Sequence, residues 1–393
     1  MIHYTVCKDA NLPINYYLCN PYPRTKQMIL LAFILNTLVI LPAGWLLIRT
    51  LMRVSYKKHL FDEPDGGRKI HSDPVPRLGG LTLFPLITLA MAVSCLLLVP
   101  EWKDRWISPW AEWSQLLGLG CSLLVLYILG INEDLRGGVR SLYKFIFYSV
   151  GAAIFIAFGH RFSYSGGIFG IASLPDWAWM IVTYVAYIHF LNAINLIDGV
   201  NGLSTDICIF SLSVLAVMEY MERHVLFTLL AIAAISVLLA FRWWNTHGDR
   251  KLHQRIFMGD TGCWTLGIII LFLIIHLNNL SPRTPGQHFS LLGFTTVIVP
   301  LLDLPRVGLW RKFHGIGFFV PDKNHIHHKL MDLGFEPWMI RGTLLGLTAL
   351  FLLLNGLLAG HMNVGWIFAI DLAAYLLFVD IIDQLRKRKA RRG

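Results

Sequence analysis

Apolar runs of about 16 to 22 residues recur along the chain, separated by short polar stretches. A helix rising ~1.5 Å per residue needs roughly 20 residues to cross a hydrocarbon layer ~30 Å thick, so runs of this length predict transmembrane helices. Eleven are legible, over residues 28–48, 81–99, 114–131, 142–158, 178–197, 206–221, 224–241, 263–280, 289–310, 339–359 and 364–383; the run 206–221 is the shortest. The predicted class is all-α, a polytopic integral membrane protein with about eleven transmembrane helices. No internal repeat or low-complexity tract interrupts the pattern and the loops are short, so one integral membrane domain is expected over 1–393. Residues 1–27 would form an external N-terminal segment and 384–393 a basic cytoplasmic tail. No apolar signal core precedes the first run, which is therefore expected to act as the insertion signal.

Composition supports this reading, with 55% hydrophobic residues, 15% charged and a mean hydropathy of +0.57 over 393 residues. That is more apolar surface than one soluble core needs. Orientation follows from the loops. With the N-terminus outside, 26 of the 34 Lys and Arg fall on the cytoplasmic side, the bias that sets membrane topology. The C-terminus then lies inside, and the run Arg386–Arg392 lies where anionic headgroups attract cations. The net charge of +10 therefore needs no nucleic-acid partner. Tryptophans 102, 106, 110, 113, 177 and 179 read as interfacial anchors. Of six cysteines, Cys7 and Cys19 share the outer segment and could pair only in an oxidising compartment.

Four polar clusters break the apolar pattern, and in the eleven-span topology each faces the cytoplasm. Arg77-Leu78-Gly79-Gly80 follows the first run. Glu133 and Asp134 close the third; adjacent acids repel unless a cation neutralises them, and a hard divalent ion binds carboxylates and phosphates together. Asn192, Asn195 and Asp198 recur every three residues, sharing one helix face ahead of Gly199, Asn201 and Gly202, as residues lining a polar cavity would. Asp260 lies between Gly259 and Gly262 at the start of the eighth run, a position suited equally to capping a helix and to holding a metal ion with its phosphate. That fourth cluster is followed at a distance by His325, His327 and His328, in a long basic loop. With acids elsewhere and no cysteine nearby, phosphate binding is expected there rather than a zinc site.

In order and spacing these clusters resemble the polyprenyl-phosphate N-acetylhexosamine-1-phosphate transferase family, from about Lys69 to Leu330. The pieces are Lys69-Ile70-His71 with Pro76 to Gly80, Gly130 to Lys144, Asn192 to Leu203, Met258 to Gly267, Asp303 with Arg306, and Asp322 to Leu330. The His-Ile-His-His form is similar to the branch that transfers simple N-acetylhexosamine phosphates. The resemblance implies a bacterial inner-membrane enzyme, with its active site on the cytoplasmic face, that passes a sugar 1-phosphate from a UDP-sugar to undecaprenyl phosphate and releases UMP. The product would begin a cell-surface glycan such as lipopolysaccharide. It also implies Mg²⁺, with Mn²⁺ as a substitute, and is compatible with a homodimer.

On that resemblance Glu133, Asp134 and Asp260 are the catalytic acids, with Asp260 and Asp134 as metal ligands. Asn192, Asn195, Asp198 and Asn201 would border the nucleotide. Lys69, Arg77, His325, His327 and His328 would handle phosphate. Two positions depart from the family pattern: Glu133 stands where an aspartate is usual, and Asn201 replaces the second acid of an Asp-Gly-x-Asp-Gly run. The alternatives are a muramoyl-pentapeptide-type transferase, which usually carries a different histidine cluster, a transporter, whose polar groups would sit at midplane, and a non-catalytic membrane platform.

Overall fold

The computed structural model describes residues 22–58, 60, 75–102, 109–165, 168, 171, 174–248, 255–280, 288–317 and 322–391. Lys69, Cys7 and Cys19 lie outside the described residues. The elements are α1 (Tyr22–Lys57), a short 3₁₀ turn (Leu78–Thr82), α2 (Leu83–Trp102), α3 (Pro109–Arg136), α4 (Ser141–Ala157), α5 (Asp176–Ile197), α6 (Leu203–Met221), α7 (Val225–His247), α8 (Gly259–Leu280), α9 (Phe289–Thr295), α10 (Ile298–Phe313), α11 (Ile326–Asp332), α12 (Pro337–Leu358) and α13 (Val364–Ala390).

Each of the eleven apolar runs is a helix or a helix pair. Among the described residues nine helices are long and apolar enough to cross a membrane; α9 and α10, bent by 69° at their junction, make a tenth if taken as one broken span. α4, with 17 residues, is shorter. The bend has a local cause. Thr296 turns its hydroxyl back onto the carbonyl of Gly293 at 2.7 Å, and Pro300 in the first turn of α10 has no N–H to return to the carbonyl of Thr296. The chain is a multi-pass membrane protein.

The helix at the centre is α8. Within its apolar span 83% of residues are buried, against 22% for α1, which turns leucines such as Leu30, Leu38 and Leu46 outward where lipid would cover them. α8 packs against α3, α5, α6, α9 and the 3₁₀ turn. Because lipid is as apolar as the helices, packing and interhelical hydrogen bonds hold such a bundle together. Asn36 of α1 donates to Ser94 of α2 at 2.8 Å, and Ser122 of α3 shares a 2.7 Å bond with Tyr187 of α5.

The 3₁₀ turn is fixed to the chain entering α8 by two main-chain hydrogen bonds, Gly79 to the carbonyl of Phe257 at 3.0 Å and Gly80 to that of Met258 at 2.7 Å. Contact is so close that a Cβ on Gly80 would lie 2.2 Å from the backbone nitrogen of Gly262, which explains a glycine there. The first polar cluster is thereby locked against the fourth.

Candidate active site

The four clusters, remote in sequence, meet at the end of the bundle where α8 begins. Gly259 leads into the helix with φ at +71°, a left-handed conformation that favours glycine. The first N–H groups of a helix lack intrahelical partners, and Asp134 supplies them from α3. Its Oδ1 accepts from the nitrogen of Asp260 at 3.0 Å, and its Oδ2 from the nitrogen of Thr261 at 3.2 Å and the hydroxyl of Thr261 at 2.6 Å. The capping role open to Asp260 is thus filled by Asp134. Three of its roughly four acceptor sites are used, leaving one on Oδ1.

Freed from capping, Asp260 faces outward from the first turn. Its Oδ1 accepts the amide of Asn195 at 2.6 Å, and its Oδ2 has Lys144 at 3.4 Å. Lys144 also contacts Glu133 Oε1 at 2.8 Å, while Glu133 Oε2 accepts the main-chain nitrogen of Val139 at 2.7 Å. One lysine therefore bridges an acid of α3 and the acid of α8.

Asn195 and Asp198 reach the acids, and Asn192 lies three residues before Asn195 on the same helix. Asn192 bonds back to the carbonyl of Ile188 at 2.7 Å, and Asp198 lies just past the last turn of α5. There it accepts from the hydroxyl of Ser204. Burial pushes the Asp198 carboxyl up to about 7; the Asp260 charge adds to the rise, and Ser204, Cys263 and the Arg77 charge oppose it. Arg77 and Asp260 thus both act on Asp198. Asn201 gives its carbonyl to Arg341 of α12 at 3.3 Å.

The histidine loop closes over this group. His327 is buried and its Nε2 would be 2.6 Å from a Cβ on Gly199, so the imidazole rests on the backbone of the Asn-rich turn. His325 and His327 stack at 5.8 Å between ring centres, and His328 follows at 4.3 Å from His327. Burial drives His327 down to about 3 and also lowers His328, so His327 is a neutral imidazole near pH 7. His325 gives Nδ1 to Asp303 at 2.8 Å, and its Nε2 is buried with no hydrogen-bond partner.

Asp303 is the anchor of this loop. Its carboxylate also accepts from Arg306 at 3.0 and 2.6 Å, from the nitrogen of Ile326 at 3.3 Å and from the hydroxyl of Tyr375 on α13 at 2.8 Å. Lys329, one turn on, is paired with Asp383 of α13 at 2.5 Å.

Sequence reading did not single out several residues that build the site. Lys144 had a signal: it is a lone cation in the first turn of an apolar helix. Asn245 had little, yet it accepts from the nitrogen of Gly202 at 2.6 Å and donates to the carbonyl of Ile256 at 2.9 Å, joining the Asn-rich turn to the entry of α8. Tyr375 lies within the last apolar run and had none.

The donors around Asp260 are carboxylate and amide oxygens, the kind a hard divalent cation takes. Among the described residues no three His, Cys, Asp or Glu side chains are gathered to hold a metal ion by themselves. Mg²⁺ commonly binds through one or two carboxylates and completes its shell with substrate phosphates and water, so Asp260, with Oδ2 lightly engaged, and the spare site of Asp134 fit that group.

The model of glycosyl transferase family 4 matches residues 116–278, the segment that carries Glu133, Asp134, the Asn-rich turn and Asp260. Over that segment the chain is similar to glycosyl transferase family 4. The chain is 25% identical over 319 residues to a probable undecaprenyl-phosphate N-acetylglucosaminyl 1-phosphate transferase of Bacillus subtilis (strain 168), covering 79% of each chain. It is 23% identical over 337 residues to the undecaprenyl-phosphate alpha-N-acetylglucosaminyl 1-phosphate transferase of Yersinia pestis, covering 83% of this chain and 85% of that one. The enzyme of that name from Escherichia coli (strain K12) is 25% identical over 337 residues, covering 83% and 84%.

Proposed function

We propose that this chain transfers a sugar 1-phosphate, an N-acetylhexosamine 1-phosphate, from a UDP-sugar to undecaprenyl phosphate, releasing UMP and leaving a lipid-linked sugar diphosphate. The observation that carries the reading is the convergence of Asp134, Asp260, Asn195, Lys144 and His327 at one end of the bundle, in a chain aligned over four-fifths of its length with transferases of that name. The site belongs on the cytoplasmic face of a bacterial inner membrane, with eleven crossings that count α4 and the bent α9–α10 pair, the N-terminus outside and the C-terminus inside. The loop charges support that topology.

The reaction joins two anions, so the site must hold both and neutralise the charge that builds on the transferring phosphorus. Asp260, backed by Asp134, would hold Mg²⁺. Bound there, it would supply charge that screens the phosphates and stabilises the equatorial oxygens. Lys144 lies beside Asp260 and presents its ammonium to the same phosphates, oriented by Glu133, whose longer arm is matched to that contact. Arg77 and Lys69 add positive charge. His327 and His328, being neutral, donate hydrogen bonds to phosphate rather than charge. His325, its Nδ1 held by Asp303, offers its unpartnered Nε2 to the same region. Asn192 and Asn201 border the nucleoside, and Asp198 lines the pocket floor beside them. The phosphate oxygen of undecaprenyl phosphate attacks the β-phosphorus, and the bond from that phosphorus to UMP breaks.

The test is a UMP-release assay of purified protein with undecaprenyl phosphate, Mg²⁺ and a panel of UDP-sugars. Release with a UDP-N-acetylhexosamine supports the reading. A silent panel, beside an active relative as positive control, rejects it in favour of a non-catalytic platform.

A further inference from the structure

Pro305 lies inside α10, one helical turn past Leu301. Having no N–H, it cannot return the helical hydrogen bond to the carbonyl of Leu301. At membrane depth, where no water stands in, a carbonyl without a donor is costly, so the protein has to supply one. His189 of α5 supplies it, with Nε2 2.9 Å from that oxygen. Because a carbonyl can only accept, Nε2 is the ring nitrogen that carries the proton.

The bond joins two packed helices that carry different sides of the site. His189, half-buried, precedes Asn195 on α5 by about 9 Å of a helix rising ~1.5 Å per residue. Leu301 lies just before Asp303, whose carboxylate holds Nδ1 of His325 at 2.8 Å and the nitrogen of Ile326 at 3.3 Å. From that loop His327 reaches back to rest its imidazole on Gly199, just past the end of α5. The contacts thus close a ring: α5 to α10 through His189, α10 to the histidine loop through Asp303, and the loop back to the end of α5 through His327. Asn195, which aims Asp260, stands on the stretch of α5 inside that ring.

We infer that His189 is a positioning residue for the transfer proposed above, a role that rests on that reading of the site. It acts through α10, setting the spacing at which the histidine loop closes on the Asn-rich turn and on Asp260. The bond is available because Pro305 vacates the carbonyl, so the two residues work as a pair: one opens the acceptor, and the other uses it to link neighbouring helices. A displacement on the order of 1 Å can cost about a hundredfold in a catalytic arrangement, and a link between two arms of the site guards against it. A bond that only held helices together would contribute stability and leave turnover in the folded protein unchanged.

The experiment pairs thermal unfolding of the full chain in detergent with UMP release over a range of UDP-N-acetylhexosamine, at fixed undecaprenyl phosphate and Mg²⁺. The variants are His189→Leu, His189→Gln, Pro305→Ala and the double variant His189→Leu with Pro305→Ala. His189→Leu removes the donor and should lower the unfolding temperature by about 1–3 °C and kcat by about ten-fold or more, with KM for the UDP-sugar little changed. His189→Gln places an amide nitrogen the same number of bonds from Cα and should restore most of both. Pro305 is exposed, so Pro305→Ala removes little packing while giving the Leu301 carbonyl its helical donor. In that background His189→Leu should cost little stability yet still lower kcat, because the two helices remain unlinked. Equal stability losses in the two backgrounds overturn the pairing with Pro305. A folded His189→Leu with wild-type kcat overturns the positioning role, as does a folded His189→Gln no faster than His189→Leu. A wild type that releases no UMP rejects the proposed transfer and the positioning role with it, while the unfolding comparison, which needs no substrate, still decides whether His189 and Pro305 are coupled.

Discussion

Asn195 donates its side-chain amide to Oδ1 of Asp260 at 2.6 Å, so the last turn of α5 sets the aim of the acid that opens α8. Replacing Asn195 with Leu should leave Asp260 in place but free to rotate. A lost positioning contact of this kind typically costs 10- to 100-fold in activity or metal affinity. The expected signature is lower UMP release together with a higher Mg²⁺ concentration at half-maximal rate. Asn195→Asp, which sets a like charge against Asp260, should be worse than Asn195→Leu.

Gly199 supports the imidazole of His327, with room for no added methyl: a Cβ would meet Nε2 at 2.6 Å. His327 is itself buried, so the ring cannot swing aside cheaply. Gly199→Ala is expected to cost about 1–3 kcal/mol of stability, as overpacking does, and to lower turnover more than ten-fold. Thermal denaturation read beside UMP release checks both halves.

Asp303 holds the histidine loop through bonds from Arg306, His325, Ile326 and Tyr375. Asp303→Ala strands the Arg306 guanidinium and should destabilise by about 3–5 kcal/mol, the range for breaking a buried pair. Tyr375→Phe removes one bond to a charged acceptor and should cost about 1.5–3 kcal/mol. Denaturation in detergent should rank the two in that order, and equal losses would contradict the hub.

Asp198 predicts a pH dependence. Burial raises its carboxyl from 3.8 to about 7, so the folded protein holds a proton that the unfolded chain has already released. That contribution to stability is fully present below about 4 and is lost as pH rises through 7. The wild type should therefore melt at a lower temperature at pH 8.5 than at pH 6, and Asp198→Asn should show less of that fall. Matching slopes in the two proteins would count against it.

Much of this was legible in the sequence because two kinds of signal are local. Apolar length marked every membrane helix, and acids, amides and histidines stood out against oil-like surroundings. Length alone did not reveal the bend at Thr296, which depends on a hydroxyl turned back on its own chain, nor that α4 is short for a crossing. Spacing placed Asn192, Asn195 and Asp198 on one face, but not which acid each meets: Asn195 donates to Asp260, while Asn192 donates to the carbonyl of Ile188. The roles of Asp134 and Asp260 were interchangeable in sequence. Three hydrogen bonds across to α8 make Asp134 the cap and release Asp260 for chemistry. Asn245 and Tyr375 join elements more than forty residues apart, and no local pattern records such a contact.

The central claim is that Asp260 is the acid on which phosphoryl transfer turns, and one measurement addresses it directly. Mg²⁺-dependent UMP release from a UDP-N-acetylhexosamine and undecaprenyl phosphate is compared between wild type and Asp260→Asn of equal thermal stability. The amide keeps the shape and the bond to Asn195 region while removing the charge, and the rate should fall on the order of a hundredfold or more. Turnover near the wild-type rate in the folded variant would contradict the account.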